Sequence, residues 1–477
     1  MAKKFFVFLL SFLFLISTSF FYKISIKADD GPDDEWFHKQ IIVNRTDIGY
    51  SDVRVPNVEV TSNGTILLCF EARTGADFSE NDIYLYRSYD GGDNWVSENW
   101  IEEIPGGHSN SANANPFFLQ DDTRDRLYFF MTERKTDVQT STYMYWRYSD
   151  DNGATWSDWT DITSLKPSYV TDADGYAWTG CGGAVSDNGT IYFACSGRDN
   201  TDTHYPFVIR SWDGENFHLA GHVRDTGAQE YNEDSLAIQE NGSLSMFARD
   251  QDSGGIGLFV SHDDGTSWSF DKQLFTAPPA ATGSKNHGRT YTKEPTHRMI
   301  LAFTNSTDRD DITLIVSYDG GYNWSYSQQV HSSEYVCYPS IAFTDNGTIL
   351  CTYEESHPGV DKIYFTRCNL EWITSSNDYL SEDEEIEFIS IDGGTNNTVN
   401  RSNNPTINWT VVSNTSQYHL EIDNNSDFSS PEVNYTDINE ANYPTNCYIN
   451  ETRVSFILPV SYENYSYYYY RVRAYSI

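Results

Sequence analysis

The chain has 477 residues, with 31 Lys and Arg against 69 Asp and Glu, and a formal net charge of −38. Such acidity excludes nucleic acid as a partner, and an anionic ligand can be held only where arginines gather locally against the overall field. Seven cysteines without CxxC or Cys/His spacing rule out a disulfide-stapled scaffold and offer no metal-ligand set, and no motif requires a cofactor.

Residues 1–28 carry Lys3 and Lys4, an apolar run from Phe5 to Phe21, and Ser25-Ile26-Lys27-Ala28 ahead of Asp29. The order basic, apolar, small reads as a secretory signal peptide, so the protein is expected to be secreted or held at the cell surface. The alternative is an uncleaved N-terminal anchor, which would associate the protein with a membrane.

From Ser88 the pattern Ser-x-Asp-x-Gly-x-(Thr/Ser/Asn)-Trp recurs. Copies run from Ser88 to Trp95, Ser149 to Trp156, Ser261 to Trp268 and Ser317 to Trp324, with a worn copy from Ser211 to Phe217; successive starts lie 61, 62, 50 and 56 residues apart. Self-similarity at tens of residues signals stacked units. Gly permits positive φ, the Asp carboxylate can accept turn N–H groups, and Trp can seal a unit against its neighbour, so the box is read as structural.

Between the boxes lie short alternating strands: Thr65 to Phe70, Arg126 to Phe130, Thr190 to Ala194, Ser243 to Phe247 and Thr348 to Thr352. Four of them follow Asn-Gly turns, at Asn63-Gly64, Asn188-Gly189, Asn241-Gly242 and Asn346-Gly347. Each unit therefore holds an Asn-Gly hairpin and a second hairpin closed by the box, and four antiparallel strands repeated radially make a β-propeller. Five box positions, plus a unit shared between Gln40 to Val43 and Lys362 to Thr366, predict an all-β chain with six blades over 36–374.

The Asn-Gly turns are also N-x-Ser/Thr sequons, with others at Asn44, Asn305 and Asn323, and an exported chain can carry glycans there. Cys181 and Cys195 are equidistant from Asn188, which leaves a cross-strand disulfide and two buried thiols as equal alternatives. After Trp372, residues 375–400 read as a linker. Strands are expected at Thr406 to Val411, Gln417 to Ile422, Val454 to Leu458 and Tyr467 to Tyr475 in a small β-sandwich over 401–477. Trp409 and the closing run Tyr470 to Tyr475 give this tail a resemblance to fibronectin type III domains, which suggests a spacer or carbohydrate-binding module.

The propeller with its boxes resembles the sialidase (neuraminidase) family, whose motifs fall in order over about residues 40–374. Arg54-Val55-Pro56 matches the opening arginine motif, and Glu71-Ala72-Arg73 precedes a loop in which Asp77 matches the catalytic acid/base; Asp82 is a weaker candidate. Asn232-Glu233 matches the pair that carries the buried base. Arg249 and Arg309 match the second and third arginines, Tyr338 the nucleophile, and Glu354 the carboxylate that supports the first arginine. One departure matters: Pro339 follows the tyrosine, which is expected to bias Tyr338 towards extended backbone and removes an N–H donor.

The resemblance implies a retaining exo-α-sialidase acting on sialylated or other acidic-sugar glycoconjugates. The chemistry is consistent with that. If each of Arg54, Arg249 and Arg309 starts an inner strand, three guanidinium groups converge, and they repel one another unless a ligand carboxylate joins them. A neutral phenol approaches an anomeric carbon that already bears a carboxylate at lower Coulomb cost than a second carboxylate would. Tyr338 needs a base, and Glu233 is in the position to supply it. The rival reading is a glycan-binding propeller without catalysis.

Overall fold

The computed structural model describes residues 35–75, 79–98, 111–135, 142–170, 176–199, 201, 203–223, 229–275, 283–292, 296–306, 308–357 and 360–380, together with the C-terminal strands named below. The leader and Asp77 lie outside the described residues. Two units are present, Pro32–Leu380 and Ser381–Ile477.

The first unit is a six-bladed β-propeller, each blade a four-stranded antiparallel sheet. Blade 1 consists of Asp52–Val60, Ile66–Arg73, Asn81–Ser88 and Val96–Ser97; blade 2 of Ser111–Asp121, Arg126–Lys135, Thr142–Ser149 and Thr160–Asp161. Blade 3 is Ala177–Val185, Ile191–Arg198, His204–Ser211 and His218–His222; blade 4 is Tyr231–Ile238, Leu244–Asp250, Ile256–Ser261 and Ser269–Phe275. Blade 5 comprises His287–Thr292, Arg298–Thr304, Asp311–Ser317 and Tyr326–Ser332. Blade 6 takes Val336–Phe343, Ile349–His357 and Val360–Cys368 from the end of the unit and its outer strand, Phe37–Asn44, from the beginning. The expected join is present, with Gln40 opposite Phe365 and Val43 opposite Ile363.

Blades stack face to face, so their second strands are buried on both sides and read as near-continuous apolar runs; every residue of Ile66–Arg73 and of Leu244–Asp250 is buried. The core lies between blades. Phe117 stacks on Phe130 at 4.9 Å within blade 2, in the range of favourable ring pairs, and Phe130 meets Phe193 of blade 3 at 4.3 Å.

The boxes close the hairpins between third and fourth strands. In the first, Ser88 donates to Asp90 at 2.9 Å, and Asp90 accepts from the Asn94 N–H at 2.9 Å and its side-chain amide at 2.7 Å. These bonds to Asn94 and Ser88 hold the Asp90 carboxyl down at about 2. A side chain of the preceding blade donates to each box turn. Arg367 reaches Gly91 O at 2.6 Å, Arg87 reaches Asn152 O at 3.0 Å and Arg124 reaches Trp212 O at 2.8 Å. Arg210 reaches Asp264 O at 2.6 Å, and Ser245 reaches Gly320 O at 2.7 Å.

The side chains of Asn63, Asn188, Asn241 and Asn346 accept the N–H two residues on, which identifies them as turn formers. Cys181 and Cys195 are free, buried thiols. The equal spacing about Asn188 is broken by a bulge between Thr179 and Gly183, which sets Thr179, not Cys181, opposite Cys195.

In the second unit, Phe388–Asp392, Thr406–Thr410, Arg453–Ile457 and Cys447–Ile449 form one sheet, in that order of pairing. Val433–Ile438, Thr415–Asp423 and Tyr469–Ser476 form another, with the middle strand Thr415–Asp423. Phe388–Asp392 falls inside the expected linker: the alternation of Ile389 and Ile391 is too short to stand out in the sequence, yet the strand pairs with Thr406–Thr410.

Candidate active site

In a four-stranded antiparallel blade, the start of the first strand, the end of the second and the start of the third lie at one edge. Arg54 is on the first strand of blade 1, Arg249 near the end of the second strand of blade 4, and Arg309 two residues before the third strand of blade 5. The three arginines therefore reach one face of the wheel from three different strands. The expectation that each starts an inner strand is correct for Arg54 alone.

Their surroundings differ from the expected trio of repelling charges. Arg54 Nε donates to Glu354 Oε1 at 2.6 Å, and Arg249 Nη1 to Glu233 Oε2 at 2.6 Å. Arg309 donates to Tyr335 Oη at 2.7 Å and to Gly283 O at 2.6 Å. Arg54 and Arg309 each place their guanidinium carbon 5.7 Å from the centre of the Tyr338 ring. Tyr338 Oη donates to Glu233 Oε1 at 2.8 Å. Tyr338, Glu233, Arg54, Arg249, Arg309 and Glu354 thus form one connected cluster drawn from four blades.

The backbone that presents them is bulged. The first strands of blades 1, 4 and 6 skip two residues in register, between Arg54 and Asn57, Asn232 and Ser235, and Cys337 and Ser340. The first skipped residue of each, Val55, Glu233 and Tyr338, has φ of 52°, 50° and 56°; Asn115 in the equivalent bulge of blade 2 has 49°. Left-handed backbone at non-glycine residues costs about 1–3 kcal/mol each and survives only where neighbours over-determine it. Here the preceding blade supplies an acceptor for the N–H group. Glu354 takes Val55 N at 2.6 Å, Glu71 takes Asn115 N at 2.7 Å, and Ser196 takes Glu233 N at 3.0 Å.

This geometry corrects the reading of Pro339. Tyr338 is left-handed, not extended, and the same residue-proline step occurs at Val55-Pro56 and Asn115-Pro116. A skipped bulge position makes no ladder bond, so the missing proline N–H costs little there.

Burial pushes the Tyr338 phenol well above its ordinary range, and the Glu233 charge adds to this against the pull of the arginines; the phenol is neutral. For Glu233, burial raises the carboxyl, but Arg249 and the Tyr338 hydroxyl outweigh it, so it lies below its usual value and is ionised. A neutral hydroxyl facing an ionised carboxylate is the arrangement a general base needs before proton transfer.

Asp77 lies outside the described residues, two positions beyond Gly75. The competing Asp82 accepts from Tyr50 Oη and stands opposite Ala72 in the blade 1 ladder. Sequence reasoning gave Tyr335 no part in the site, whereas it accepts from Arg309 and orients it. It missed Ser196 and Asn115 altogether; the recurring residue-proline step after Val55, Asn115 and Tyr338 is the signal that could have found the bulges. A cavity of about 250 Å³ opens at the opposite end of the channel, lined by Gln120, Asp122, Asp187, Ile238 and Arg289 among others, and holds none of the predicted site residues.

Fold and cluster together define a six-bladed propeller whose face carries a tyrosine-carboxylate pair ringed by arginines. Residues 64–351 match the BNR repeat-like domain, and the chain belongs to that family. It is 27% identical over 242 residues to a sialidase of Clostridium perfringens, covering 46% of this chain and 61% of that relative. A sialidase of Paraclostridium sordellii is 26% identical over 252 residues, 49% of this chain and 61% of the relative. The chain thus spans about three fifths of the curated relatives it matches. Among solved structures, the Hadza microbial sialidase Hz136 shares the fold with a TM-score of 0.59 at 21% identity, over 69% of this chain and 68% of its own. The intramolecular trans-sialidase of Ruminococcus gnavus gives 0.56 at 16%, over 68% and 96%.

Proposed function

We propose that this chain is a retaining exo-α-sialidase-like glycoside hydrolase that removes terminal sialic acid, or a related nonulosonic acid, from glycoconjugates outside the cell. The observation that carries the reading is the 2.8 Å hydrogen bond from Tyr338 to Glu233 within a ring of three arginines. The substrate carboxylate binds Arg54, Arg249 and Arg309. Its charge competes with Glu233 for Arg249, raising the proton affinity of Glu233 as the base is needed. Tyr338 Oη then attacks the anomeric carbon while its proton passes to Glu233 Oε1, and Asp77 protonates the departing glycosidic oxygen. In the second half, Asp77 takes a proton from water as the water attacks the same carbon. The phenolate leaves and recovers its proton from Glu233. Two displacements on one carbon retain its configuration.

The apolar leader supports export, either as a cleaved signal or as an anchor. The strands of 388–476 are read as a fibronectin type III-like sandwich serving as spacer or sugar-binding module.

The test is hydrolysis of a fluorogenic α-sialoside by the full chain and by Tyr338→Phe, with related keto-acid glycosides as second substrates and NMR of the first-formed anomer. The variant is expected to lose about 10³-fold or more in kcat, with the α-anomer released first by the unaltered protein. Equal activity in both proteins removes Tyr338 from the mechanism. Binding of the glycosides without turnover of any of them favours a glycan-binding propeller.

A further inference from the structure

Glu233 and Asp234 are the two residues that the first strand of blade 4 skips in register, and one side chain of blade 3 holds both. Ser196 lies near the end of the second strand of blade 3 and is fully buried. Its Oγ accepts the Glu233 N–H at 3.0 Å and donates to Asp234 Oδ2 at 3.0 Å. One hydroxyl therefore fixes two consecutive residues, the base through its main chain and the next residue through its carboxyl. A skipped residue has no ladder bond of its own to set its direction, so the neighbouring blade sets it. With both bonds made, Glu233 stands at a φ of 50° and its carboxylate meets Tyr338 Oη at 2.8 Å and Arg249 Nη1 at 2.6 Å.

The acceptors at the bulges of Val55 and Asn115 are carboxylates, Glu354 and Glu71, each balanced by an arginine, Arg54 and Arg73. Beneath the base the acceptor is a hydroxyl. A carboxylate in place of Ser196 would set a second negative charge beside Glu233 and raise its proton affinity, against the ionised state that Arg249, Tyr338 and Arg309 favour. Ser196 makes the same bond to the bulge without that charge. Its own partner adds none: Asp234 is fully buried, and its Oδ1 has no hydrogen bond. Burial pushes the Asp234 carboxyl well above its ordinary range against the bond from Ser196, and the Glu233 charge adds to the rise, so Asp234 is protonated.

We propose that Ser196, braced by Asp234, is a positioning residue for the base: its hydroxyl holds the left-handed turn that brings Glu233 to Tyr338, and does so without placing a charge beside it. The role rests on the hydrolase reading of the same site.

The test is the pH dependence of fluorogenic α-sialoside hydrolysis by the full chain, by Ser196→Ala and by Ser196→Thr, with a crystal structure of Ser196→Ala. In Ser196→Ala, kcat is expected to fall about 10–100-fold while KM changes less than about 3-fold, since Arg54 and Arg309 keep their own partners. As Glu233 loosens from Arg249, the acid limb of kcat/KM moves up towards the ordinary glutamate range, and Ser196→Thr, which keeps the hydroxyl, is expected to restore both. A mere loss of folded protein lowers the rate and leaves the limb in place. A kcat within about 2-fold of the unaltered protein, or a lower rate with the acid limb unmoved, therefore overturns the proposal. Should Ser196→Ala fail to fold, Ser196→Cys, which keeps the volume and offers only a weak acceptor, carries the same expectation. Should the unaltered protein turn over no sialoside, the hydrolase reading fails and the structure of Ser196→Ala decides the positioning alone. There Glu233 is expected to leave the left-handed region and its bond to Tyr338 to open beyond about 3.5 Å, and the two unchanged would overturn it.

Discussion

Asp52 stands two residues before Arg54, 3.5 Å from its Nη1, and its Oδ1 is buried without a hydrogen bond. Burial raises its carboxyl to about 6 against the pull of Arg54, with Glu354 and Asp361 adding repulsion. The folded form therefore binds more protons than the unfolded chain between pH 3.8 and about 6, so stability falls as pH rises through that window and stays lower above it. Asp52→Asn is expected to lose this fall, recovering about 1–3 kcal/mol at pH 7 relative to pH 4. Urea unfolding from pH 4 to 7 checks it; the same pH slope in both proteins would remove Asp52 as the source. Glu233 is governed oppositely, because Arg249 and Tyr338 hold it ionised. The acid limb of kcat/KM is accordingly expected below the ordinary glutamate range, and its loss in Glu233→Gln would identify the group. Asp52 escaped sequence reading because nothing in the letters of Ser51-Asp52-Val53 says that its carboxylate is buried. Glu233 was legible only through the family resemblance, whose order of asparagine, glutamate and later turn it matches at Asn232 and Asn241-Gly242.

At the scale of elements, the carboxylate that clamps the next blade's bulge is the recurring device. Glu71 holds Arg73 and the Asn115 N–H in blade 1, as Glu354 holds Arg54 and the Val55 N–H across the ring's junction. Removing one side leaves a buried charge, so Glu71→Ala is expected to cost about 3–5 kcal/mol in a chemical denaturation experiment. A loss below about 1 kcal/mol would show that the clamp is not structural. The strands and turns were readable because Asn-Gly and the Asp box each carry their own local chemistry. The clamps were not, since Glu71 and Asn115 lie 44 positions apart and meet only when two blades stack. The bulges also reconcile Pro339 with Tyr338: a residue that looks damaging in a regular strand is neutral where the ladder skips.

The whole ring closes through Phe37–Asn44, which completes blade 6 from the other end of the unit, with Phe37 stacked on Trp372 at 4.4 Å. A chain beginning after Asn44 leaves the Val360–Cys368 strand as an open edge. It is expected to lose about 5–10 °C in Tm and to aggregate on heating, measurable by calorimetry and light scattering. An unchanged transition would mean that the join is dispensable. Six blades could be counted in the sequence because the boxes are periodic and the two half-blades match. What fills the middle of the wheel could not, because His287 and Gly182 share no motif and meet only when the blades are assembled.

That filled middle has a consequence for traffic. With His287 wedged between blades 3 and 6, one imidazole bridges opposite sides of the hub, and anything threaded through at that level would have to displace it.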